Sequence, residues 1–159
     1  MGPGERLVLE AGALLHDIGH FIHRKAHHRH GEYLIRNGEI PGWRGWRRDM
    51  VAALVRYHNC KSEPQVQHAS YASLDGARRR QVRMLTALLR IAEKLESEHA
   101  ERISGVDVQI AGGRAIFLIR AAEGTRLDLA GLERKADLFE REFHLAAEFR
   151  RAQRREKVA

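Results

Sequence analysis

Apolar residues recur at three-and-four spacing through Leu7, Ala11, Leu14, Leu15 and Ile18, the period of a helix with one buried face, so the first predicted element is a core helix from Leu7 to about Phe21. A short helix is predicted from His30 to about Asn37, where Asn37-Gly38 stops it and Pro41-Gly42 turns the chain. The third begins at Trp46 or Asp49 and runs to Tyr57, with Met50, Leu54 and Tyr57 on one side and Asp49 available as a cap. Between Asn59 and Asp75 the periodicity fades and Pro64 appears, which predicts a long ordered loop of the kind that lies over a functional cleft. Ala77 to about Ala100 then carries Val82, Leu85, Leu88, Leu89, Ala92 and Leu95 in helical register. This is the strongest helical pattern, and its helix is expected at the centre of the fold.

After Gly105 the period changes from 3.6 to two. Val106, Val108 and Ile110 alternate with polar neighbours, Gly112-Gly113 follows, and Ala115 to Ile119 is a β-prone run, together the pattern of a hairpin. Thr125 to Leu129 predicts a third strand, and two final helices are expected over 130–143 and 146–155. The predicted fold class is mainly α, with a small antiparallel β-hairpin or three-stranded sheet in the C-terminal third. A length of 159 residues predicts a single domain, with a helical core over 1–104, a β element over 105–129 and C-terminal helices over 130–159.

Hydrophobic residues at 43% and charged residues at 31% fit a globular chain that buries a core. No stretch of about 18 apolar residues and no basic stretch before the first apolar run are present, so a cytoplasmic location without membrane partners is expected. Cys60 is the only cysteine, which excludes an internal disulfide and permits a reducing compartment; it is assigned no catalytic role.

Charge narrows the partners. Lys and Arg number 28 against 21 Asp and Glu, a formal charge of +7, which favours polyanions: polyphosphate, phosphorylated nucleotides or nucleic acid. The basic residues cluster at Arg44, Arg47 and Arg48, at Arg78 to Arg80 with Arg83, and at Arg150 to Arg155. Arginine suits such ligands because its planar fork grips phosphate oxygens in pairs. Aromatics are only 6% of the chain, so stacking platforms for single strands are scarce and a nucleic-acid-binding module is the third reading.

The chemistry concentrates at His16-Asp17, in the run Leu14-Leu15-His16-Asp17-Ile18-Gly19-His20. Imidazole nitrogen binds divalent metals, and a carboxylate supplies a hard oxygen that can bridge two ions. Neighbours on a helix diverge by about 100°, so such a pair closes a site only with ligands from facing helices. The candidates are His27, His28 and His30, then His58, then Glu93, for which an ion pair with Arg90 is the structural alternative. His20 and His23 read as solvent-exposed, and His68, His99 and His144 as surface residues. Trp43 and Trp46 are expected to close a small apolar cluster around Pro41-Gly42.

The order Ala13-Leu14-Leu15-His16-Asp17-Ile18-Gly19, His27-His28-Arg29-His30 with Tyr33-Leu34-Ile35, Pro41-Gly42, Ala53 to His58, Leu88 to Ala92 and the closing Leu138-Phe139 resembles the C-terminal helical domain of the exopolyphosphatase and guanosine pentaphosphate phosphatase (Ppx/GppA) family, a relative of the HD-type metal phosphohydrolases. The likeness runs from about Leu7 to about Phe139 and implies an HD-domain-like helical bundle. The candidate ligands for a divalent metal (Mg, Mn, Fe, Ni or Zn), should the domain act as an enzyme, are His16, Asp17, His58 and Glu93. Phosphate contacts would fall to His27, His30, Arg56, Arg79, Arg83 and Arg90. Two departures stand out. HD-type enzymes take a first histidine from a preceding helix, for which the fifteen residues before His16 leave no room, and Glu93 stands where the family reads aspartate. The actin-like portion that carries phosphatase activity in the family does not fit within 159 residues.

The resemblance therefore implies an accessory domain of a hydrolase that binds or positions a phosphate chain beside an actin-like phosphatase domain, and it makes a homodimer through the helical region an expected arrangement. The alternative is a free-standing metal-dependent phosphohydrolase, with Asp17 catalytic.

Overall fold

The computed structural model describes residues 2–59, 63–96 and 102–152; the predictions for Cys60, His99 and the chain beyond Ala152 lie outside them. These residues form two compact units, 1–90 and 91–159. The fold is mainly α with one three-stranded sheet in the C-terminal part.

In the first unit, α1 (Pro3–Leu15) starts with Pro at its first position and Glu5 in its first turn, both suited to a helix N-terminus. The helix predicted to reach Phe21 stops at Leu15; a 3₁₀ turn over Ile18–Phe21 follows. Within that turn the backbone at Gly19 passes so close to the start of the next helix that no side chain fits there. That helix, α2 (His27–Asn37), begins three residues earlier than predicted, after Ala26 in the left-handed conformation (φ 60°).

The third helix, α3 (Trp46–Tyr57), is buried along six consecutive residues, Met50 to Val55, and again at Tyr57. It packs on α1, on α2 and on the short α4 (Ala69–Ala72), which forms inside the predicted loop. The central helix is therefore α3. The longer α5 (Gly76–Leu95), expected in that position, contributes Val82, Leu85 and Leu89 to the core beside Val8, Ile35, Tyr71 and Leu74. A run of Met-Val-Ala-Ala-Leu-Val can be enclosed on all sides, whereas α5 carries Arg78 to Arg80 and Arg83 and must keep one face in water. Trp43 packs against this core; Trp46 instead stands at the surface with the guanidinium groups of Arg47 and Arg78 at 4.6 and 4.4 Å from its ring.

In the second unit, β1 (Ile103–Ala111) and β2 (Arg114–Ala121) form the predicted antiparallel hairpin. Gly112 and Gly113 have φ of 56° and 73°, the paired left-handed turn that matches strand twist. No strand forms over Thr125 to Leu129. Asp128 accepts a hydrogen bond from the Gly131 amide at 2.8 Å and caps α6 (Leu129–Lys135), followed by α7 (Asp137–Phe143). The third strand is β3 (Ala146–Arg151), where a helix was predicted, and it joins β2 in parallel, so the sheet is mixed. A parallel neighbour requires a crossover, which α6 and α7 supply. Phe149 opposite Phe117 fixes the register, with stacked rings 4.9 Å apart.

Candidate functional site

Each histidine of the site owes its position to a helix end. His16 follows the last turn of α1, His58 follows that of α3, and His27 opens α2. Asp17 lies between α1 and the 3₁₀ turn, and His20 lies within that turn. Two helix C-termini thus converge, and their carbonyl ends favour a cation.

Asp17 is the hub. Its Oδ1 lies 3.5 Å from His20 Nε2, 3.5 Å from His27 Nε2 and 3.9 Å from His58 Nε2, while its Oδ2 lies 3.4 Å from His16 Nε2. Ligand atoms of Asp17, His27 and His58 all fall within 4.8 Å of one another. The Nε2 atoms of His27 and His58 are only 3.0 Å apart.

Backbone carbonyls set the tautomers. The Nδ1 of His16 lies 2.7 Å from the Ala13 carbonyl, that of His58 2.7 Å from the Val55 carbonyl and that of His27 3.3 Å from the Arg24 carbonyl. A carbonyl only accepts, so in each ring Nδ1–H donates and Nε2 is the nitrogen left facing Asp17, the arrangement that outer partners impose on metal-binding histidines. His58 is fully buried, and desolvation lowers its pKa to about 4 against the raising effect of the Val55 carbonyl. It is therefore neutral at pH 7. The Nε2 of neutral His58 faces that of His27 at 3.0 Å, close enough for both to hold one positive centre. Donors each about 2.1 Å from one ion and at a right angle stand about 3.0 Å apart, so the residues present fit a divalent cation.

Of the predicted metal ligands, His16, Asp17 and His58 come together. Glu93 belongs to the second unit, and the group forms from the first unit's own residues. His27, expected to contact phosphate, lies in the same cluster. His20 is exposed, as expected, and also approaches Asp17; its place three residues past Asp17 was the available signal.

The remaining phosphate candidates divide differently. His30 sits one turn further along α2, outside the cluster. Arg56 is bonded to Glu32, and the other Glu32 oxygen accepts the Ser70 hydroxyl at 2.5 Å. Sequence reasoning missed Glu32, a mostly buried carboxylate whose partners come from two distant helices. Arg79 holds the carbonyls of Tyr71 and Ala72 at 3.2 and 2.7 Å, and Arg83 donates to the Tyr71 hydroxyl at 3.0 Å. Arg90 is buried, with Nε on the Tyr57 carbonyl at 3.0 Å. Arg79 and Arg90 thus satisfy the carbonyls that end α4 and α3. Nor is His68 a lone surface residue: it is bonded through Nδ1 to the Tyr57 hydroxyl.

Comparison with known proteins agrees with this architecture. Residues 3–140 match the family described as Ppx/GppA phosphatase, domain III. A guanosine-5'-triphosphate,3'-diphosphate pyrophosphatase of Pseudoalteromonas atlantica is 33% identical over 78 residues, 49% of this chain and 16% of that protein. The protein of the same name from Pseudoalteromonas translucida is 33% identical over 85 residues, 54% of this chain and 16% of its own length. The chain thus spans only about 16% of these curated relatives. A match over residues 3–140 of 159 establishes membership: this chain belongs to the Ppx/GppA phosphatase family and corresponds to its domain III.

Proposed function

We propose that Asp17, His27 and His58, with His16 and His20 at the edge, hold a divalent metal ion, and that the bound ion takes the phosphate groups of polyphosphate or a phosphorylated nucleotide. In this reading the domain binds and positions a phosphate chain for phosphatase chemistry carried by another portion of a longer protein. The observation that carries it is the set of three imidazoles with Nδ1 tied to carbonyls and Nε2 turned on one carboxylate. An imidazole-rich set with a single carboxylate favours Mn, Fe, Ni or Zn over Mg. The ion would supply positive charge to a phosphate oxygen. The chain supplies the rest: buried His58 keeps its lone pair at pH 7, and Asp17 is the most exposed of the three ligands. The +7 charge draws the polyanion in.

A second reading rests on Asp17, whose two oxygens face different imidazoles as a bridging carboxylate does: the domain itself hydrolyses a phosphate ester or anhydride. One experiment separates these readings. Metal content, polyphosphate and guanosine pentaphosphate binding, and phosphate release are measured on the purified chain and on Asp17→Ala and His58→Ala variants. The binding reading expects stoichiometric metal, phosphate-chain binding lost with chelator and in both variants, and no release. Turnover abolished in both variants establishes the second reading, and failure to retain any divalent metal overturns both.

A further inference from the structure

The second unit contains a cleft that none of this chemistry uses. It has a volume of about 180 Å³ and lies among the end of α5, the start of β1, the loop before α6 and α6 itself. Leu95, Leu127 and Leu132 line its apolar part, and Glu96, Arg102 and Arg126 are among its polar lining; Glu96 is not a free carboxylate. Both arginines are exposed, and neither has an ion-pair partner among the described residues. The third cation, Lys94, is taken up by Asp128 at 2.8 Å, and that carboxylate is also bonded to the Gly131 amide. Asp128 is therefore satisfied within the wall, its pKa held low chiefly by the Lys94 hydrogen bond. Two guanidinium groups without ion-pair partners among the described residues, beside a recess that three leucines line in part, match a ligand with one anionic end and one flat, weakly polar end. The wall is anchored where Arg151 donates to the Thr125 carbonyl. The Thr125 hydroxyl is buried there without a partner among the described residues, an unsatisfied group that a modest shift of the loop on binding would relieve.

We infer that this cleft binds a nucleoside monophosphate, with the base against Leu95, Leu127 and Leu132 and the phosphate between Arg102 and Arg126. Guanidinium pairs bind phosphate in a two-pronged geometry, and the recess is too small for more than a base or sugar. The site is separate from the Asp17 cluster in both residues and chemistry, and it needs no metal.

The test is a titration of the full chain with adenosine monophosphate in the presence of chelator, followed by calorimetry and by amide NMR shifts. Saturable binding is expected, with shifts centred on Arg102, Thr125 and Arg126. Inorganic phosphate should bind at least roughly ten-fold more weakly. An Arg102→Glu/Arg126→Glu variant should lose at least about ten-fold in affinity, and the milder Arg126→Ala about three-fold. Asp17→Ala should bind as the unaltered chain does. Absence of saturation, equal affinity for inorganic phosphate, undiminished binding by Arg126→Ala or loss in Asp17→Ala would each overturn the assignment. Because the chelator removes any ion from the first unit, this outcome is independent of the metal reading.

Discussion

A methyl group at Gly19 would stand 1.9 Å from the carbonyl oxygen of His27 and 2.6 Å from the amide of Gly31, well inside van der Waals contact. Backbone lies on the far side, so neither neighbour yields without moving α2. Gly19→Ala is therefore expected to cost at least about 2 kcal/mol and to pull His27 off Asp17, seen as a lower urea midpoint together with weaker metal binding. Unchanged stability would show that the 3₁₀ turn does not lock to α2.

His58 makes a second prediction at this scale, for the metal-free chain. Its folded pKa of about 4 lies below the unfolded value of about 6.5, so the unfolded chain binds the extra proton. Stability then falls as pH drops from about 6.5 toward 4, by about 3 kcal/mol in total, and is flat above that window with respect to this group. Urea unfolding in chelator at pH 7.5, 6 and 5 should show a slope that His58→Asn reduces; identical slopes would remove the case for a buried neutral imidazole.

Among the elements, β3 departs most from its local sequence. Ala146-Ala147-Glu148 favours a helix, yet the segment is a strand because Phe149 stacks on Phe117, itself packed edge-on against Phe139 at 5.3 Å. Removing the ring should remove the reason for the strand. Phe149→Ala is expected to cost about 3–5 kcal/mol and to release the β2–β3 pairing, read as loss of extended-chain NMR shifts over 146–151 with the β1–β2 hairpin intact. A strand that persists would mean that the crossover alone fixes it. The hairpin, by contrast, was legible at once, since Gly112-Gly113 between alternating residues leaves few other solutions.

For the whole molecule, a ligand that binds only the folded state stabilises the unit that holds it, by about 2.7 kcal/mol at a hundred times its dissociation constant. Saturating Mn²⁺ or Zn²⁺ should therefore slow hydrogen exchange in α1, α2 and α3, where the donor atoms reside, and leave β1 to β3 unchanged. Asp17→Ala should abolish the effect. Slowing confined to the sheet, or none anywhere, would place the cation elsewhere or nowhere.

Local rules determined much of this protein from its sequence. Periodicity located α1, α3 and α5, turn chemistry located the hairpin, and the His-Asp pair marked the centre of the site, because each depends on residues a few positions apart. What only the tertiary structure decided depends on groups far apart in the chain. His27 reached Asp17 and His58 because Gly19 lets α2 approach the 3₁₀ turn. Glu32 became a buried partner of Arg56 because α2 and α3 pack face to face. Arg79 and Arg90 went to backbone carbonyls at helix ends, where unmet acceptors claim donors in dry surroundings. Ala146 to Arg151 became a strand because an aromatic cluster outweighs the small helical preference of six residues.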